Sequence, residues 1–126
     1  MAQHNELGIA GERLAREYLL KQGYAIGGEN IVICGVEVDF IAIKDNRIAF
    51  VEVKTRSSDF TDPLDAVDHK KQCRLARAAD RYIRIYNIPH EPQFDIITVI
   101  GDPVNNAPGC RLTHYADAFR PPLMSR

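Results

Sequence analysis

Four charged residues carry most of the chemistry this sequence offers: Glu37, Asp39, Glu52 and Lys54. They lie in V-E-V-D-F-I-A-I and I-A-F-V-E-V-K-T-R, two runs rich in Val, Ile and Phe that are separated by Lys44-Asp45-Asn46-Arg47. Such runs around a short Asp-Asn turn predict a β-hairpin spanning Val36 to Arg56. With Lys44 and Arg47 flanking the turn as a pair, antiparallel register sets Asp39 opposite Glu52 and Glu37 opposite Lys54. All four then share one face, and Val38, Phe40, Val51 and Val53 form the apolar face behind them.

Directly opposed residues in a ladder have Cβ atoms roughly 5 Å apart, and like charges placed there are destabilising without compensation. An Asp facing a Glu in mid-strand therefore asks for a cation. Mg²⁺ is typically held by one or two carboxylates with water and phosphate oxygens filling the remaining positions, a set Asp39 and Glu52 can supply. Lys54, two residues along the strand, points to the same side, toward a phosphate or an attacking water. Any one of these carboxylates alone reads as part of a solvated strand face. The constellation does not, because the flanking residues are too apolar for an exposed strand and the charges gather at one level.

The elements around the hairpin must hold it in place. Leu7, Ala10, Leu14, Ala15, Tyr18 and Leu19 recur at helical spacing and Gly23 supplies a stop, predicting a helix over Leu7 to Gln22. Glu12 lies at the border of its apolar stripe, beside Gly8 and Gly11; it matters only if this helix packs against the hairpin. Ile31-Val32-Ile33 reads as a strand entering the hairpin, with Gly27-Gly28 a flexible connection; no phosphate-binding glycine spacing is present. Ser57 to Pro63 has the chemistry of a polar loop.

A second helix is predicted from about Asp65 to Tyr86. On it Lys70, Arg74, Arg77, Arg81 and Arg84 fall within an arc of about 80°, while Leu75, Ala78, Ala79, Tyr82 and Tyr86 fall on the other side. Charge runs on helices are usually solvated faces, but this ridge is nearly of one sign, with Asp80 its sole acid between Lys70 and Arg84. Such a ridge suits a phosphate backbone. Pro89 and Pro92 end the helix. Phe94 to Ile100 then reads as a buried strand whose one acid, Asp95, is expected to make a structural pairing. Arg111 to Tyr115 reads as an edge strand, and residues 121–126 as a tail following a single domain over 1–120.

The whole chain bounds these readings. Its 126 residues, 45% hydrophobic and 26% charged with a net charge of -1, describe one globular domain without a global basic field, so a nucleic-acid partner must be drawn by a local patch. Cys34, Cys73 and Cys110 are odd in number and widely spaced, as expected of reduced thiols. His4, His69, His90 and His114 have no zinc-ligand spacing. No basic start with an apolar run opens the chain, and no apolar segment approaches membrane-spanning length. A cytoplasmic location and no membrane partner are therefore expected.

V-E-V-D-F-I-A followed by F-V-E-V-K-T-R resembles the D…E-x-K signature of the restriction-endonuclease-like nuclease superfamily. With G-E-R-L-A-R-E-Y-L near the start, K-Q-C-R-L-A-R-A-A and the late F-D-I-I, the chain is similar over nearly its full length to the YraN-like uncharacterised family, related to archaeal Holliday-junction resolvases. The resemblance implies a three-layer α/β fold, with a central mixed β-sheet flanked by helices. It implies Asp39 and Glu52 as ligands of Mg²⁺ (or Mn²⁺), Lys54 as the residue stabilising the attacking hydroxide, and Glu12 as an auxiliary acid. Lys71 becomes a DNA or phosphate contact, and Arg56, closing the E-V-K-T-R stretch, joins the ridge as a DNA-binding candidate. Two departures stand out: the family's G-E-I-D has its glycine displaced to Gly35, and the superfamily's proline before the first Asp is Val38.

The activity expected is metal-assisted hydrolysis of DNA phosphodiesters, selective for branched structure over base sequence. A homodimer and a DNA-processing protein partner are further expectations. The alternatives are a non-catalytic nucleic-acid-binding module that keeps the fold, and an interaction protein whose basic helix docks an acidic surface.

Overall fold

A computed structural model describes residues 5–58 and 62–120. The expected tail lies outside the described residues, as do positions 59–61 of the loop expected after the hairpin. Helix α1 (Glu6–Lys21) opens where the Asn5 side chain accepts the Gly8 N–H, and it stops before Gly23, whose φ of 92° suits a residue without a side chain. Strands β1 (Ala25–Ile33), β2 (Val36–Lys44) and β3 (Arg47–Arg56) follow, then α2 (His69–Tyr86), β4 (Glu91–Ile100) and β5 (Arg111–Phe119). The five strands lie in chain order in one sheet. Neighbours are antiparallel except β3 and β4, which run parallel with α2 as their crossover.

Alternation along β3 divides the core. Ile48 and Phe50 join Leu75, Ala78 and Ala79 of α2, whereas Ala49, Val51 and Val53 join Ala15 and Leu19 of α1. Burying both faces favours apolar residues in consecutive positions, which is why Phe94 to Val99 reads as an almost continuous apolar run, interrupted by Asp95 and Thr98, and is buried throughout. The result is the expected three-layer arrangement, a mixed sheet between two helices.

Several expectations are corrected. The double glycine is no loose connection: Gly27 and Gly28 sit inside β1, where the register with β2 shifts between Ile26 and Gly28. The second helix begins at His69, not near Asp65. A short 3₁₀ turn over Pro63–Ala66 precedes it, and Asp68 caps it by accepting the Lys71 N–H. Tyr86 leaves the buried stripe: it is 63% exposed and lies outside the core cluster that Leu75, Ala78 and Ala79 join. Val38 and Phe40 do not share a face either: Val38 packs in the α2 layer and Phe40 in the α1 layer, so strict alternation fails at Asp39.

Candidate active site

The hairpin register is the predicted one from Lys44↔Arg47 to Phe40↔Val51, where the ladder ends, so the expected ladder pairing of Asp39 with Glu52 is not formed. One step on, the Val53 N–H is taken by the Asp39 carboxylate, 2.7 Å from Oδ2, in place of a backbone carbonyl of β2. Beside it on β1, Asn30 adopts a left-handed conformation with φ of 49°. The two strands thus part at the level of Asp39 and Glu52, with both carboxylates buried at 7 and 8% exposure. Glu37 takes another course: it pairs with Val32 of β1 and does not face Lys54 across a ladder. The parting of the strands is the physical reason for that correction.

Glu52 lies on the α2 side of β3, where Lys71 Nζ reaches its Oε2 at 2.8 Å. Lys54 follows by alternation on the same side and is half-buried. From the opposite layer comes Glu12. Helix α1 approaches β3 so closely that a Cβ on Gly11 would collide with Thr55 Oγ1, and this places the next residue, Glu12, within electrostatic reach of Asp39. The condition for Glu12 to matter, that its helix pack beside the hairpin, is met.

The electrostatics follow from this crowding. Burial raises the Asp39 carboxyl most, Glu52 adds to it, and Glu12 adds further. The Val53 N–H and the Lys71 ammonium oppose them, and the result is a pKa of about 8. Among the described residues no group of three or more His, Cys, Asp and Glu side chains stands at metal-binding spacing. The donor set is therefore a pair of carboxylates with excess negative charge nearby, which fits a hard cation completing its shell from water and a phosphate ester.

The basic candidates separate. Lys70, Arg74, Arg77, Arg81 and Arg84 are exposed along α2, and Arg56 is exposed at the end of β3. Arg84 pairs with Asp80 one turn earlier, at 3.2 Å, which trims the ridge near its C-terminal end. Lys71 turns away from this row toward Glu52, so adjacent lysines serve different surfaces. Reasoning from sequence missed that pairing, although a lysine one residue off the ridge, on the side of the buried Leu75, carried the signal.

It also missed the partner of Asp95. As expected, that pairing is structural, but its partners are His114 Nε2 at 2.7 Å, the Gln93 side chain and the Asp117 N–H; His114 Nδ1 in turn meets the Tyr18 hydroxyl at 2.9 Å. The three cysteines are free thiols. Among the described residues no helix is long and apolar enough to cross a membrane.

Fold and site together define a three-layer α/β protein with an acidic cluster where a β-hairpin opens between two helices. Residues 11–99 match the uncharacterised protein family UPF0102, and the chain belongs to that family. UPF0102 proteins of Bacteroides thetaiotaomicron and Parabacteroides distasonis are 47 and 44% identical to it, over 98 and 97% of this chain and 99 and 98% of their own lengths. A Flavobacterium psychrophilum relative is 41% identical over 94% of this chain and 98% of its own.

Proposed function

We propose that this protein is a metal-dependent endonuclease of the restriction-endonuclease-like class that hydrolyses DNA phosphodiesters in branched or otherwise structured DNA. The observation that carries the reading is the buried pair Asp39 and Glu52 at the parting of β2 and β3, with Glu12 near and the carboxyl of Asp39 lifted to about 8. Perturbed carboxylates cluster at functional sites because a merely structural position gains nothing from burying like charges near one another.

Asp39 and Glu52 would hold Mg²⁺ or Mn²⁺, and the ion when bound supplies Lewis-acid polarisation of the phosphoryl oxygen and a lowered pKa of water. Lys54, on the Glu52 side of β3, places positive charge where the transition state gathers negative charge. Glu12 adds a carboxylate from the opposite layer, able to orient water. The exposed row Lys70, Arg74, Arg77, Arg81 and Arg84, with Arg56, meets backbone phosphates; such contacts position a duplex without reading its bases, which supports selection by shape. A homodimer acting on two strands, alone or with another DNA-processing protein in the cytoplasm, completes the proposal.

The Lys71–Glu52 ion pair favours the second reading, a binding module that keeps the fold, since it already partly neutralises one of the two ligands. Calorimetric titration with Mg²⁺ or Mn²⁺, run on the wild type, Asp39→Asn and Glu52→Gln beside a panel of branched and linear DNA, separates the two. The nuclease reading expects metal binding lost in both variants and metal-dependent nicking by the wild type alone. Branched-DNA binding of equal strength in EDTA and Mg²⁺, with no nicking, leaves the binding module.

A further inference from the structure

Away from the acidic cluster, the C-terminal turns of α2 and the edge strand β1 enclose a groove of about 610 Å³, whose walls include Ile31, Val32, Arg81, Tyr82, Ile85 and Tyr86. Val32, Ile85 and Tyr86 are 67, 60 and 63% exposed, an apolar surface laid beside a cationic one. Tyr82 is anchored edge-on against Phe50 of the core, with ring centroids 6.1 Å apart, and Tyr86 leans on Tyr82 at 4.8 Å. One ring is thus anchored on the core and the next is largely exposed.

Charge selects among occupants. Arg81 lines the groove, and Arg74, Arg77 and Arg84 stand on the same helix, so an apolar partner protein would have to cover cations that nothing on its side answers. Addition of a strand from a second copy is disfavoured as well, because the register shift between Ile26 and Gly28 and the left-handed Asn30 break the regularity of β1. Aromatic faces beside a track of arginines are the chemistry of single-stranded nucleic acid, whose bases stack while its phosphates follow the cations.

We infer that this groove receives unpaired bases of a single-stranded segment, stacked on Tyr86 and Tyr82, with the phosphates along Arg81 and Arg77. The inference rests on the nucleic-acid reading of α2 and is independent of catalysis. It deepens that reading: Arg81 lies ten residues from Lys71, roughly 15 Å along the helix, so unpaired nucleotides would be held at a short distance from the carboxylates. Preference for a branch then comes from the unpaired bases it offers.

The test is anisotropy of a labelled oligothymidylate and of a duplex of the same length, in EDTA so that no cleavage intervenes. Tyr86→Ala is expected to weaken oligothymidylate binding about tenfold while duplex affinity stays within about twofold, and Tyr86→Phe to restore the wild-type value. Arg81→Ala should weaken both ligands and flatten the salt dependence. Equal oligothymidylate affinity in Tyr86→Ala and wild type overturns the inference. So does Tyr86→Ala converting a dimer to a monomer in sedimentation with single-strand affinity kept, which makes the groove an interface between copies. Should the wild type bind neither DNA, the nucleic-acid reading of α2 falls with it; absence of nicking alone removes only the catalytic reading.

Discussion

Asp39 and Asp95 flank the same residue of the sheet: Val51 pairs with Phe40 on one side, next to Asp39, and with Asp95 itself on the other. Both aspartates are buried, and their surroundings differ in kind. The Asp95 carboxylate accepts from the Asp117 N–H at 2.9 Å, from the Gln93 amide at 2.9 and 3.2 Å, and faces His114 Nε2 at 2.7 Å. Asp39 takes the Val53 N–H and otherwise meets Glu52 and Glu12, with Lys71 the opposing charge. A buried carboxylate is tolerated when donors saturate its lone pairs. Asp95 is thus held by the scaffold, whereas Asp39 is left with an electrostatic deficit that a cation would relieve.

Neutralising each aspartate in turn distinguishes a metal ligand from a scaffold acid. Asp39→Asn should lower metal-dependent nicking by at least about a thousandfold, some 4 kcal/mol of transition-state stabilisation, while the fold persists with unchanged or higher thermal stability near neutral pH. Asp95→Ala should do the reverse. Removing the carboxylate strands the donors that converge on it, costing about 3 kcal/mol in urea denaturation, with nicking per folded molecule unchanged. If Asp39→Asn destabilised the protein as much as Asp95→Ala, both acids would be scaffold and the metal reading would lose its main support.

A smaller effect separates the two by pH. Folded Asp39 keeps its proton up to about 8, against 3.8 for an ordinary aspartate. Between those values the native state binds more protons than the unfolded one, so stability is greatest below about pH 4, falls as pH rises, and levels off above 8. The slope is bounded by ~1.4 kcal/mol per pH unit, giving a total of a few kcal/mol. Thermal melts across this range should show the decline in the wild type and its absence in Asp39→Asn. Mg²⁺ added at pH 8 should restore stability in the wild type. A wild-type profile identical to that of Asp39→Asn would mean that the charge on Asp39 is compensated in the apo fold.

Much of this was legible in the residue pattern, for definite reasons. The hairpin register followed from two apolar runs meeting at Asp45-Asn46, because a one-residue slip would turn every side chain over. The division of labour on α2 followed from its 3.6-residue period. What escaped were features set by backbone departures. Val38 and Phe40 are both apolar, so period 2 put them together; only Asn30 and the Asp39–Val53 bond reveal the break between them. Asp65 and Asp68 are equally suited as caps, and the chain forms a 3₁₀ turn over Pro63–Ala66 before the helix proper. The partner of Asp95 lay nineteen residues away on β5, a separation that no local spacing encodes.

Lys71 offers the finest test, because its two possible roles predict opposite signs. Its ammonium sits 2.8 Å from Glu52 Oε2 and helps to hold the Asp39 carboxyl down. If it competes with a cation for Glu52, Lys71→Met should tighten Mg²⁺ binding by up to about fivefold, since a partly exposed ion pair is worth only ~1 kcal/mol. Apo stability should fall by a similar amount, because Glu52 stays buried without its partner, and Mg²⁺ should recover it. If Lys71 instead meets a phosphate, as the family resemblance implies, DNA affinity should fall and its salt dependence flatten by about one charge, with Mg²⁺ binding unchanged. Both effects together would describe a lysine that covers Glu52 in the resting protein and moves to the DNA backbone when the cation takes its place. Neither effect would make the ion pair a fastening between α2 and β3, leaving Asp39 as the sole part of the cluster that the cation changes.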